Sequence, residues 1–192
     1  MTTLRRVTTS VGAALAVGTL AASGVAAASG GQDSQNPEEV HLSLTPSSPE
    51  LADCMPHARV RVEVQLTTDQ IGFDSFTVEA RGLPRNTAFT VFLLEQADSP
   101  FGAAEYIGDI FTDGKGRAEN TFRLIVAEAF SSTLVDGQRV RADLNQVGMW
   151  FADPADDDFC LGPDSPVTPF DGDDEAGVQA FNSLNTTPLP PP

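Results

Sequence analysis

Two histidines, two cysteines, one tryptophan and one tyrosine in 192 residues leave few chemistries open. With only His41 and His57 to supply imidazole, metal centres built on several histidines are excluded. There is no Cys-x-x-Cys pair for thiol redox chemistry and no Gly-x-Ser-x-Gly nucleophile elbow. Gly114-Lys115-Gly116 has no phosphate-binding context and reads as a hairpin turn. Basic residues are also scarce, 11 Lys and Arg against 27 Asp and Glu, for a net charge of −16. Such a surface repels nucleic acid and anionic membrane and suits solubility, cation binding or a basic partner. No apolar run is long enough to span ~30 Å of hydrocarbon stably.

What is present begins with an export signal. Arg5 and Arg6 precede an apolar, small-residue run from Val11 to Ala22, and Ala26-Ala27-Ala28 satisfies the small-x-small cleavage rule. The expectation is a cleaved signal peptide over 1–28, a secreted, extracellular product and no membrane attachment after cleavage. Losing Arg5 and Arg6 leaves 27 acidic against 9 basic residues, a charge of −18. Residues 29–38 read as a flexible lead-in, 39–184 as one domain with its own core, and 185–192 as a Pro-rich disordered tail. A monomer is expected. Cys54 and Cys160 both fall in the exported part, where a pair most often forms one disulfide; free thiols or a metal pair lack supporting neighbours.

The domain reads as strands. In Arg59 to Leu66 the residues Val60, Val62, Val64 and Leu66 lie on one face and Arg59, Arg61, Glu63 and Gln65 on the other. A half-buried antiparallel strand has this alternation. Glu39 to Thr45 predicts an edge strand broken at Pro46. Phe76 to Ala80, Phe89 to Leu94, Tyr106 to Thr112, Arg117 to Val126 and Arg139 to Phe151 predict further strands, the last of them final. Asp113 to Gly116 and Asp136-Gly137 are turns. Ala127 to Leu134 reads as one or two helical turns, and Val178 to Leu184 as a short helix or an apolar tuck. The sum is all-β: a single Ig-like antiparallel β-sandwich of about seven strands.

Leu83-Pro84-Arg85-Asn86-Thr87-Ala88-Phe89-Thr90-Val91 resembles the Leu-x-Pro-x-Thr-x-Tyr corner of fibronectin type III and other immunoglobulin-like modules. Leu and Pro differ in spacing by one, and Phe89 stands where a bracing Tyr hydroxyl would be. The Gly-Leu-Pro corner, Tyr106 to Ile110, Trp150 to Asp158 and Thr168 to Asp173 are together similar to uncharacterised small secreted bacterial β-sandwich proteins. That resemblance implies an exported domain and carries over no catalytic residue.

The candidate site residues are acidic. Asp153, Asp156, Asp157 and Asp158 follow the last predicted strand, and Asp171, Asp173 and Glu175 alternate in a second turn. Alternating carboxylates can supply several of the six to eight oxygens that Ca2+ takes. The second turn is not an EF-hand: Ala176 replaces the bend glycine and Asn182 the bidentate glutamate. The function expected is a secreted, non-catalytic β-sandwich acting as a binding or envelope-associated module, with an unknown protein or glycan as partner. The alternative is a Ca2+-dependent adhesion or carbohydrate-binding module using these acids beside Trp150. A secreted hydrolase ranks last: paired carboxylates serve glycoside cleavage, and a Ser-His-Asp triad is not excluded by counting, but both histidines fall near the expected edge of the fold.

Overall fold

The structure, a computed structural model, describes residues 38–126, 129–169, 175–186 and 188–189. The expected signal peptide, nearly all of the lead-in, Asp171, Asp173 and half of the Pro-rich tail lie outside them. The described residues belong to one compact unit, Gln35–Pro192. In chain order the elements are β1 (Glu38–Pro46), α1 (Pro49–Cys54), β2 (Arg59–Leu66), α2 (Thr68–Ile71), β3 (Asp74–Arg81), β4 (Ala88–Leu94), β5 (Ala104–Phe111), β6 (Arg117–Leu124), β7 (Phe130–Val135), β8 (Gln138–Asp143), β9 (Gln146–Phe151), a 3-10 turn (Pro154–Asp157), α3 (Asp158–Leu161), β10 (Thr168–Pro169), β11 (Glu175–Ala176) and β12 (Gln179–Asn182).

Eight strands form one antiparallel sheet in the order β5-β4-β9-β12-β1-β2-β3-β6. β1 changes partner along its length. Glu38 to Leu44 pair with β2, whereas Thr45 and Pro46 pair with β12. The sheet thereby becomes two layers sharing one core, β1-β2-β3-β6 on one side and β12-β9-β4-β5 on the other. Its two edge strands approach each other, with Asn120 Nδ2 on β6 donating to the Asp109 carbonyl on β5 at 3.2 Å. The predicted alternation of β2 holds: Val60, Val62 and Val64 are buried and Leu66 is half-buried. They meet Phe76 and Val78 of β3, Phe89, Val91 and Leu93 of β4, and Val147, Met149 and Phe151 of β9 in one cluster.

The fold is thus mostly β with short helices, but it is not a simple seven-strand sandwich. β1 borders its layer from Glu38 to Leu44, as expected, but at Thr45 and Pro46 it pairs with β12 and so joins the second layer. The segment expected as a helix or tuck is β12 itself, whose four residues are all buried. Arg139 to Phe151 is two strands rather than one, and neither is last. The break falls at Leu144, buried in the core, whose N–H bonds the Ala129 carbonyl at 3.0 Å. The helical turns expected over Ala127 to Leu134 are not found: Phe130 onward is strand β7, and 127–128 lie outside the described residues. β7 and β8 make a separate two-stranded hairpin. Asp136 (φ 50°) and Gly137 (φ 79°) close it with two left-handed residues, the two-residue turn that matches strand twist.

Cys54 and Cys160 are bridged, with 5.6 Å between their Cα atoms. The bridge joins α1 to α3 rather than loop to loop. α1 forms because Ser48 caps it, accepting from Leu51 N–H at 3.2 Å, and Pro49 sits in its first turn, where no N–H is needed. In the corner from Leu83 to Val91, Thr112 supplies a bracing hydroxyl. Its Oγ1 donates to the Pro84 carbonyl at 2.6 Å and accepts from Thr87 N–H at 2.9 Å. Among the described residues no helix is long and apolar enough to cross a membrane.

The two outer faces differ. Over β4 and β9, residues Leu94, Trp150 and Ala176 form a second small cluster, with Phe92 and Phe101 packed against it. The segment 96–103 is tied down there by Gln179 Nε2, which donates to the Ala97 carbonyl at 2.9 Å. Among the described residues, the outer face of β1-β2-β3-β6 has no such cover.

Candidate functional site

That bare face is a lattice set by register. Within these strands its outward side chains are all polar. One row across the sheet reads Arg59, Arg81, Arg117. The next reads Ser43, Arg61, Glu79, Glu119, the third His41, Glu63, Thr77, Thr121, and the fourth Glu39, Gln65, Ser75, Arg123. In the third row Thr77 and Thr121 share a hydroxyl hydrogen bond of 2.9 Å. In the second row Arg61 faces Glu79 favourably, while Glu79 and Glu119 are like charges opposed. In the first row all the charges are alike.

Arg59, Arg81 and Arg117 stand directly opposite one another on three adjacent strands. Like charges in such pairs are destabilising, by roughly 0.2–1 kcal/mol per pair. The row is nonetheless anchored firmly. Arg81 is followed by Gly82, and Arg117 is preceded by Gly116, both with positive φ. A Cβ on Gly82 would strike the His57 carbonyl, and one on Gly116 the Leu83 carbonyl, so both positions require glycine. Leu83 N–H bonds the Gly116 carbonyl at 3.2 Å, stitching the two corners together. Asp113 Oδ1 accepts from Lys115 N–H at 2.7 Å and Arg117 N–H at 3.0 Å. Those two bonds hold the Asp113 carboxyl below the usual range, and the charges of Arg117 and Lys115 add to the effect.

The row lines an open groove of about 530 Å³, which Arg61, Glu79, Asp113 and Glu119 also border. The ion pairs found among the described residues, His41–Glu39 and Arg141–Asp143, involve none of the three arginines. Arg59 Nη1 donates to the Ala58 carbonyl at 2.5 Å. Nearby acids soften the positive field without pairing with it. Three guanidinium groups therefore border the groove, and their planar donors are of the kind that match carboxylate, phosphate or sulfate oxygens bidentately. No sequence motif marks these residues. They are separated by a helix-containing turn and by β4 and β5, so only the register brings them into line.

The acidic residues singled out in the sequence play other parts. Asp153 caps the 3-10 turn, accepting from Ala155 N–H at 2.9 Å. Asp157 is fully buried; its Oδ1 accepts from Ser165 Oγ at 2.5 Å and its Oδ2 from Val178 N–H at 2.8 Å. It pins the segment that leads into β12. Burial pushes the Asp156 carboxyl up, and the charge of Asp153 adds to this, against a lowering hydrogen bond from the Ala88 N–H. Asp158 is half-buried in the first turn of α3 and Glu175 is exposed. Asp171 and Asp173 lie outside the described residues.

Trp150 is 2% exposed and edge-on to Phe92 and Phe101, so its ring is a core element rather than a sugar platform. His57 is exposed before β2, and among the described residues neither histidine bonds a serine hydroxyl. The described group whose atoms converge for a metal is Glu39, His41 and Glu63, on β1 and β2. No protein-family model matches the chain, and no curated protein sequence matches it.

Proposed function

We propose that the protein is an exported, non-catalytic binding module that holds an anionic polymer on the outer face of β1-β2-β3-β6. The observation that carries this reading is the row Arg59, Arg81, Arg117, three like charges opposed on neighbouring strands of an acidic protein. An arrangement that costs stability in the free protein is recovered when an oxyanion bridges the guanidinium groups. Specificity follows from the surrounding acids. Glu79, Glu119 and Asp113 repel a ligand whose charge is not confined to the row. Nucleic acid and an anionic bilayer present broad negative surfaces and are disfavoured by the net charge of −16. Spaced carboxylate, phosphate or sulfate groups on an extended polymer, such as a cell-envelope glycan, fit the groove. The export part of the proposal rests on the sequence of residues 1–28 and agrees with the disulfide. It is checked by mass spectrometry of culture supernatant, where a mature N terminus at Ser29 is expected.

The binding part is tested with Arg81→Thr, which removes the middle charge and installs a good strand former. Without ligand and at low salt, the variant is expected to gain roughly 0.5–1 kcal/mol of stability from relieved repulsion. Polygalacturonate, polyphosphate and a sulfated polysaccharide are then titrated by calorimetry against both proteins. At least one is expected to bind the native protein, at roughly tenfold or greater advantage over Arg81→Thr, since a charged hydrogen bond is worth about 1.5–3 kcal/mol. Equal binding by the two proteins, or no binding of any polyanion, removes the proposal.

A further inference from the structure

We propose that Glu39, His41 and Glu63 form a binding site for one divalent transition-metal ion, Zn2+ being the best match. His41 and Glu39 are two residues apart on β1 and project from the same face; Glu63 stands opposite His41 on β2. Their ligand atoms all lie within 4.8 Å of one another, and His41 Nε2 is 3.0 Å from Glu39 Oε1. Tetrahedral Zn2+ with bonds near 2.0–2.2 Å separates its ligand atoms by about 3.4 Å, so small rotamer changes of two flexible glutamates close the set. Gln65 Nε2 donates to Glu63 Oε1 at 3.3 Å, the kind of outer hydrogen bond that fixes a ligating carboxylate. The backbone beneath is rigid, because β1 and β2 pair without a break from Glu38–Leu66 to Leu44–Val60.

The donor set chooses the ion. One imidazole nitrogen with two carboxylates favours Zn2+, Co2+, Ni2+ or Cu2+ over Ca2+ and Mg2+, which prefer oxygen alone. Two adjacent carboxylates carry two negative charges, which a dication neutralises. Three protein ligands leave a further position for water, and an open hollow of about 330 Å³ bordered by His41, Ser43, Arg61 and Glu63 adjoins the site. The site is separate from the arginine row and does not depend on its having a ligand.

His57 makes the test internally controlled, since it is the other histidine and lies elsewhere. Zn2+ and Ca2+ are titrated into the disulfide-bonded protein by calorimetry, and the two imidazole signals are followed by NMR. Zn2+ is expected to bind one per chain, with a Kd of about 1–100 μM, while Ca2+ gives no heat at this site. The His41 signals shift and those of His57 stay. His41→Asn and Glu63→Gln, both exposed or half-exposed changes that leave the melting temperature of the metal-free protein unaltered, each weaken Zn2+ roughly tenfold or more. His57→Asn leaves it unchanged. Absence of Zn2+ binding below 1 mM, equal perturbation of both histidines, or Zn2+ affinity unaffected by Glu63→Gln overturns the proposal.

Discussion

The protein with Cys54→Ser and Cys160→Ser is expected to lose roughly 4–5 kcal/mol of unfolding free energy, the loop-closure entropy for a crosslink of this span. The sequence separation is 106 residues, so most of the sheet lies inside the covalent loop. For a domain of this size that corresponds to a fall in melting temperature of roughly 10–15 °C. The bridge also has local work to do. α1 is six residues long and α3 four, too short to persist alone. Leu51 and Met55 are buried beneath the junction, and Cys160 and Leu161 pack against the same cluster. Thermal unfolding with and without reductant checks the value. A melting temperature that moves by less than about 3 °C, which corresponds to ~1 kcal/mol, shows that the bridge closes a loop already held shut by other contacts.

Asp74→Ala is expected to cost about 3 kcal/mol at neutral pH, because three N–H groups, that of Val126 buried and those of Thr67 and Thr68 half-buried, lose a charged acceptor. Asp74 is fully buried at the start of β3. Its Oδ1 accepts from Thr67 N–H at 2.7 Å and Thr68 N–H at 2.9 Å, and its Oδ2 from Val126 N–H at 2.8 Å. The carboxylate thus ties the start of α2 to the exit of β6. Burial by itself pushes the carboxyl up, but the bonds from Val126, Thr68 and Thr67 together outweigh this and hold it below its ordinary value. A carboxyl lowered in the folded state stabilises the fold in its ionised form. That contribution is complete above the unfolded-state value near 3.9 and is lost as pH falls through the lower folded-state value. Urea unfolding of the native protein and Asp74→Asn therefore converges at strongly acid pH and diverges toward neutrality. Curves separated equally at all pH values, or a neutral-pH loss from Asp74→Ala below ~1 kcal/mol, contradict this role.

Alternation made β2 and β3 legible, because each buries one face only and the period of two is written in Val60, Val62, Val64 and Phe76, Val78, Ala80. The disulfide was legible from the chain's two cysteines, read together with the expectation of export. β12 was not: Gln179-Ala180-Phe181-Asn182 is buried on both faces, so it shows no alternation, and four residues are too few to separate strand from helix by pattern. β7 misled for a related reason. Phe130, Leu134 and Val135 are exposed on a hairpin outside the main sheet, and their spacing imitates a helical stripe. At the site the gap is wider. Arg59 and Arg117 each sit in a strand that was foreseen and Arg81 lies one residue past the foreseen end of another, yet their opposition depends on pairing β2 with β3 and β3 with β6. The sequence contains the residues but not the register. The dense aspartates drew attention instead, and two of them turn out to act as a helix cap and a buried brace.

The central place of β12 bears on how the chain assembles. A polypeptide that emerges N terminus first releases β1 early and β9 much later, and neither can complete its hydrogen bonding until Gln179 to Asn182 arrive between them. Until then β1 and β9 each present an open edge beside exposed core residues, the condition under which strands pair with the wrong neighbour. Thr45 meets Asn182 across most of the described chain, a contact whose entropy is met only at the end. Closure is accordingly a late event: the two layers stay unjoined, and the chain open and pliable, until Gln179 to Asn182 are free to pair.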